Sequence, residues 1–212
     1  MTKLLQGKNS ISGLMLFKLL ILLTLGGCTV FQPAKTTSMS NYSIEIKFEP
    51  AGTTTGEQTI LVTATGARSG YDTRRMIYTK RAHELEYFTQ NQWVDSPARM
   101  LTPLLIQSLE NSAKYRAVVS SRSAVTADFQ LDTEIIRLQQ DFTTRPSQIQ
   151  LTVRAQLTDI QSKRVLASKE FNISEATSSE DPYGGVLATN RAVKILLQQI
   201  TEFCVSENKA GK

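Results

Sequence analysis

Residues Gln148 to Thr158 constrain the fold more than any other stretch, because Ile149, Leu151, Val153, Ala155 and Leu157 alternate without a break with Gln148, Gln150, Thr152, Arg154, Gln156 and Thr158. A period of two with one apolar face is a strand that covers a core on one side. Gln161-Ser162-Lys163 then turns the chain back into Arg164 to Ser174, which makes an antiparallel hairpin the simplest arrangement. Upstream, Ala127 to Phe142 is a second long strand. Phe129, Leu131, Thr133 and Ile135 hold one phase and Ile136, Leu138 and Phe142 the other, so a bulge near residue 136 is expected.

Around these strands the pattern predicts shorter elements. Tyr42 to Phe48 alternates through Ile44, Ile46 and Phe48 and reads as a strand. So do Thr59 to Thr63, Arg75 to Tyr78 and Tyr115 to Val119, with a break at Gly66 to Gly70 and an irregular or partly helical piece at Glu84 to Phe88. Asp95-Ser96-Pro97 caps a helix that keeps Leu101, Leu104, Leu105 and Leu109 on one face as far as Ala113, with a kink expected at Pro103. Asp181-Pro182 opens a second helix of about five turns, carrying Val186, Val193, Leu196, Leu197, Ile200 and Phe203 on its apolar face. The fold class is therefore α/β: a mixed, largely antiparallel sheet with two main helices packed against it.

The N-terminus belongs to a different economy. Lys3, Lys8 and Lys18 precede Leu19 to Leu25, an apolar run too short for a bilayer span of about 20 residues, and Leu25-Gly26-Gly27-Cys28 follows directly. An apolar residue, two small residues and a cysteine form a lipobox: small side chains suit cleavage between Gly27 and Cys28, and the Cys28 thiol is the acceptor for diacylglycerol. Met15 is an alternative start that leaves the mature chain unchanged. The expected organisation is a signal peptide over 1–27, a flexible tether over 28–41, one domain over 42–205 and a polar tail over 206–212. The tether would separate its ends by roughly 20 Å as a coil and by about 46 Å at full stretch.

Loss of the three lysines takes the formal charge from +5 to +2. The mature chain lacks the basic footprint of a nucleic-acid binder. Cys28 and Cys204 are the two cysteines, so a lipidated Cys28 leaves Cys204 without an intramolecular partner, as a packed thiol on the last helix. With His83 the sole histidine, no multi-histidine metal site can form. Gly184-Gly185 lacks the context of a dinucleotide loop, and no phosphate loop or nucleophile elbow is present. No catalytic residue, metal ligand or cofactor is therefore expected. The cations Arg74, Arg75, Lys80 and Arg81 read first as a solvated face and second as a contact for anionic headgroups. The aromatics Tyr87, Phe88, Trp93 and Tyr183 read as core or partner contact rather than a cofactor box.

Five pieces in order behind the lipobox carry a resemblance. They are Tyr71 to Tyr78, His83 to Phe88 leading to Trp93, Pro97 to Leu101, Leu131 to Glu134, and Asp181-Pro182-Tyr183-Gly184-Gly185-Val186 leading to Asn190-Arg191-Ala192-Val193. From Tyr42 to Cys204 the chain resembles the ABC-type transport auxiliary lipoproteins of the paraquat-inducible kind. The resemblance implies a non-enzymatic envelope lipoprotein that works with an ABC permease, its ATPase and an MCE-domain substrate-binding protein, with lipids or other hydrophobic compounds as cargo. Under it Trp93, Asp181, Pro182, Tyr183 and Arg191 are the candidate partner contacts, and homo-oligomerisation stays open. Thr29 after the cysteine is not the aspartate that retains enteric lipoproteins at the inner membrane, so an outer-membrane, periplasm-facing position is expected. The alternatives are a structural or assembly lipoprotein of the outer membrane, and a domain that binds lipid directly in a cleft between helix and sheet.

Overall fold

The structure, a computed structural model, describes residues 38–49, 52–121 and 125–210. The signal peptide, the Gly27–Cys28 cleavage site and most of the tether lie outside the described residues.

The sheet is organised around β7 (Phe129–Asp141), β8 (Gln148–Asp159) and β9 (Arg164–Ala176), paired antiparallel in sequence order. The hairpin read from the alternation is present, closed by a turn in which Lys163 has φ 56°. The phase change in β7 is also present as a register shift between Ile135 and Arg137, which lets both Ile135 and Ile136 be buried. The other side of β7 is shared along its length by three short parallel neighbours, β2 (Thr59–Val62), β3 (Gly66–Ala67) and β4 (Arg75–Thr79). Beyond β4 lie β5 (Glu86–Trp93) and the edge strand β1 (Ser40–Tyr42); beyond β2 lies β6 (Ala117–Ser120). The sheet is mixed and mostly antiparallel.

Helix α1 (Pro97–Asn111) packs beside β2 and β6, and α2 (Pro182–Ala210) lies on β8 and β9. The helices touch through Ser108 and Thr201, whose hydroxyls are 2.9 Å apart. Between sheet and helices Leu101, Leu105, Leu109, Leu131, Leu151, Leu157, Phe171, Leu196 and Ile200 form the centre of one core. Pro103 is accommodated inside α1 on its solvent side, where water can serve the carbonyl that its missing N–H leaves free. Across the opposite face of the sheet Arg154 on β8 reaches Glu134 on β7 (3.5 Å) and Glu170 on β9 (3.8 Å).

Four sequence expectations are corrected. Tyr42–Phe48 is not a ladder strand: β1 starts at Ser40, within the segment read as tether, and ends at Tyr42. Residues 43–48 run on without ladder pairing along the groove between α1 and α2. Ile44 is buried, while Ile46 and Phe48 line the groove with Ser108, Asn111, Lys194 and Gln198. The period of two was genuine, but it marks an extended chain that buries every second residue against helices. The Glu45 N–H donates to Asn190 Oδ1 at 2.8 Å in place of a strand partner. Residues 84–88 are not helical, because β5 begins at Glu86 and pairs with β4. The break at Gly66–Gly70 contains the two-residue strand β3. Finally, α2 has 29 residues, about eight turns, and continues to Ala210 through most of the expected tail.

Candidate partner-contact site

The first turn of α2 is where the family-like motif Asp181 to Gly185 is built. Asp181 accepts a hydrogen bond from the Gly184 N–H (2.7 Å) and another from the Ser179 hydroxyl (2.9 Å), which satisfies a helix N–H that has no intrahelical partner. These bonds, the Gly184 N–H first and the Ser179 hydroxyl second, hold the Asp181 carboxyl below its ordinary range. The two glycines follow from close approach. A Cβ on Gly184 would fall within 2.6 Å of Ser179 Oγ and 2.9 Å of Ser179 N, and one on Gly185 would press into the Gln140 carboxamide.

Gln140 is a buried brace beneath this turn. Its Nε2 donates to Ser147 Oγ (3.0 Å) and to the Asp181 carbonyl (3.3 Å). Ser147 and Thr177 hydroxyls are 2.7 Å apart, and the Ser147 N–H donates to Glu180 Oε1 at 2.9 Å. The end of β7, the start of β8, the end of β9 and the start of α2 are thereby tied together.

The five expected contacts divide on this frame. Trp93 is 4% exposed and belongs to the core. Asp181 is occupied as a helix cap, and Arg191 bonds Glu175 Oε2 (3.1 Å) and the Ala176 carbonyl, fastening α2 to β9. Pro182 is half-buried, whereas Tyr183 is 55% exposed, with its ring 6.1 Å from that of Tyr42. Tyr183 is thus the member of the set that offers most free surface. Sequence reasoning missed Leu187, one turn further along the same helix face and also exposed. Its spacing of four from Tyr183 was the available signal.

The basic run is engaged internally. Arg75 stacks over the Tyr87 ring at 3.6 Å, Lys80 lies 3.6 Å from Glu86, Arg81 pairs with Glu84, and Arg74 Nε donates to the Trp93 carbonyl at 3.3 Å. Phe88 packs with Tyr78 and Phe142. Cys204 is fully buried, and burial pushes its thiol up to about 12. Between the sheet and α2 the space lined by Met76, Trp93, Leu138 and Thr189 is about 10 Å³, the scale of a single water. Among the described residues no group of three or more His, Cys, Asp or Glu side chains could hold a metal ion, and no helix is long and apolar enough to cross a membrane.

The sequence model of the ABC-type transport auxiliary lipoprotein component matches residues 42–201. The chain belongs to that family. An auxiliary lipoprotein of an ABC-type transport system is a membrane-anchored protein of the cell envelope, and the family is one of transport components rather than enzymes. Among solved structures, this auxiliary lipoprotein is similar to a Xanthomonas campestris protein of the DUF330 family, with a TM-score of 0.72 and 19% identity over 81% of this chain and 98% of that one. It is also similar to an uncharacterized protein with a TM-score of 0.60 and 10% identity over 80% and 98% of the two chains. Those likenesses establish a shared fold. No curated protein matches the chain by sequence.

Proposed function

We propose that this auxiliary lipoprotein is the anchored docking component of an ABC transport system that includes an MCE-domain substrate-binding protein. It serves the movement of lipids or other hydrophobic compounds across the envelope. The observation that carries the reading is the family match over 42–201 lying directly behind Leu25-Gly26-Gly27-Cys28. Acylated Cys28 holds the domain at the outer membrane facing the periplasm. Thr29 in place of an aspartate supports that side, and two or three acyl chains suffice for stable attachment where one binds only marginally. The domain then gives the substrate-binding assembly a fixed endpoint, with anchoring supplying the affinity for the membrane and docking the specificity.

Replacing Cys28 with serine tests the anchoring half. Transport and membrane fractionation should both fall away while the domain stays folded; unchanged transport with a soluble protein would refute it.

A further inference from the structure

We infer that the corner formed by Met39, Tyr42, Val94, Tyr183 and Leu187 rests on the lipid surface, so that the domain is held in one orientation. Seven large apolar side chains are exposed among the described residues, and four of them are Met39 (47%), Val94 (46%), Tyr183 (55%) and Leu187 (38%). They come from three separate stretches of sequence. Tyr183 and Leu187 share a face of α2; Tyr183 leans on Tyr42; the Val94 N–H donates to the Tyr42 carbonyl at 2.8 Å; and Met39 immediately precedes β1. Exposed apolar residues scattered singly need no explanation, but gathered ones mark a contact surface. The other three, Leu85, Val125 and Val165, lie in separate places, before β5, before β7 and in β9.

The length of chain outside the described residues selects the occupant. Met39 is eleven positions beyond Cys28 in the sequence. As a coil that length spans about 18 Å, and it cannot exceed about 38 Å. The edge at β1 is therefore restrained near the leaflet, while β9, five strand spacings away in the order β1-β5-β4-β7-β8-β9, lies about 24 Å further across the sheet. The residues suit that position. Tyrosine places an apolar ring and a polar hydroxyl at the level of the headgroups, and Met, Val and Leu supply aliphatic surface. The inference rests on the lipid-anchor reading and assigns Tyr183 to lipid rather than to the transport partner.

The test uses the full lipidated chain in vesicles of phosphatidylethanolamine and phosphatidylglycerol. Nitroxide labels are attached in turn to Val94→Cys, Leu187→Cys and Val165→Cys, with buried Cys204 unreactive. Flotation is measured first, then the accessibility of each label to oxygen and to a water-soluble nickel chelate. Labels at 94 and 187 should be several-fold less open to the chelate than the label at 165, and more open to oxygen. Equal chelate access at all three positions in protein that floats overturns the inference and leaves the anchor reading standing. Shielding of 94 and 187 that appears only when the transport partner is added also overturns it, giving the corner to a protein. Protein that fails to float removes the anchor, and the inference falls with it.

Discussion

Replacing Gly184 with alanine places a methyl group against the Ser179 backbone, 2.6 Å from its Oγ and 2.9 Å from its N, with the carbonyl oxygen closer still. Backbone cannot rotate away as a side-chain tip can, so the 177–181 segment must shift and take Ser179 and Asp181 with it. Overpacking of this kind costs about 1–3 kcal/mol, and the weakened Asp181 cap adds about 1 kcal/mol. Alanine returns up to about 1 kcal/mol through its better helix propensity. With the full propensity gain the balance is a destabilisation of about 1–3 kcal/mol, which lowers Tm by roughly 2–12 °C for a domain of this size. Gly66→Ala is the control, because its new Cβ would meet only the Thr133 carbonyl oxygen at 3.8 Å. Thermal unfolding followed by circular dichroism should rank Gly184→Ala well below wild type and Gly66→Ala close to it. A Gly184→Ala protein melting within a degree of wild type would refute the close approach as the reason for glycine at this position.

Gly185→Ala should also destabilise, by about 1–3 kcal/mol, since it displaces the buried Gln140 carboxamide; here Gln140→Ala should restore part of the loss, a rescue that urea titration of the double variant detects. Asp181 and Asp159 are both held below their ordinary pKa, Asp181 by the Gly184 N–H and Ser179 hydroxyl and Asp159 by the Ser162 N–H and hydroxyl. Their contribution is present above the unfolded-state pKa and is lost as pH falls through the lower folded values. Unfolding free energies at about pH 7 and about pH 3 should therefore differ less in the Asp159→Asn, Asp181→Asn double variant than in wild type. Cys204 should resist maleimide at about pH 8 in the native protein and react at once in denaturant; ready labelling of folded protein, followed by mass spectrometry, would contradict its burial.

The long hairpin and the bulged β7 were legible because a one-sided strand writes its register into the sequence, and Ile135-Ile136 shows the bulge directly as two adjacent apolar residues. The same rule misassigned residues 43–48. Period two reports an extended backbone with one buried side, and it does not say whether helices or strands lie beneath Ile44, Ile46 and Phe48. At the candidate site the motif Asp181 to Gly185 stood out, but its division of labour did not. That Asp181 and Arg191 are consumed by internal bonds, and that Tyr183 meets Tyr42 from the far end of the chain, depends on non-local packing that residue types alone do not specify. Leu187 was passed over because a lone leucine on a helix reads as core until its exposure is known.

Affinity purification of the full lipidated chain from a detergent-treated whole-cell lysate, with the bound proteins identified by mass spectrometry, tests the proposed docking role most directly. The account predicts recovery of an MCE-domain substrate-binding protein together with the permease and ATPase of the same system, and loss of that set when the Cys28→Ser protein is purified from the same detergent-treated whole-cell lysate. Recovery of outer-membrane barrel proteins or cell-wall material in their place would contradict it.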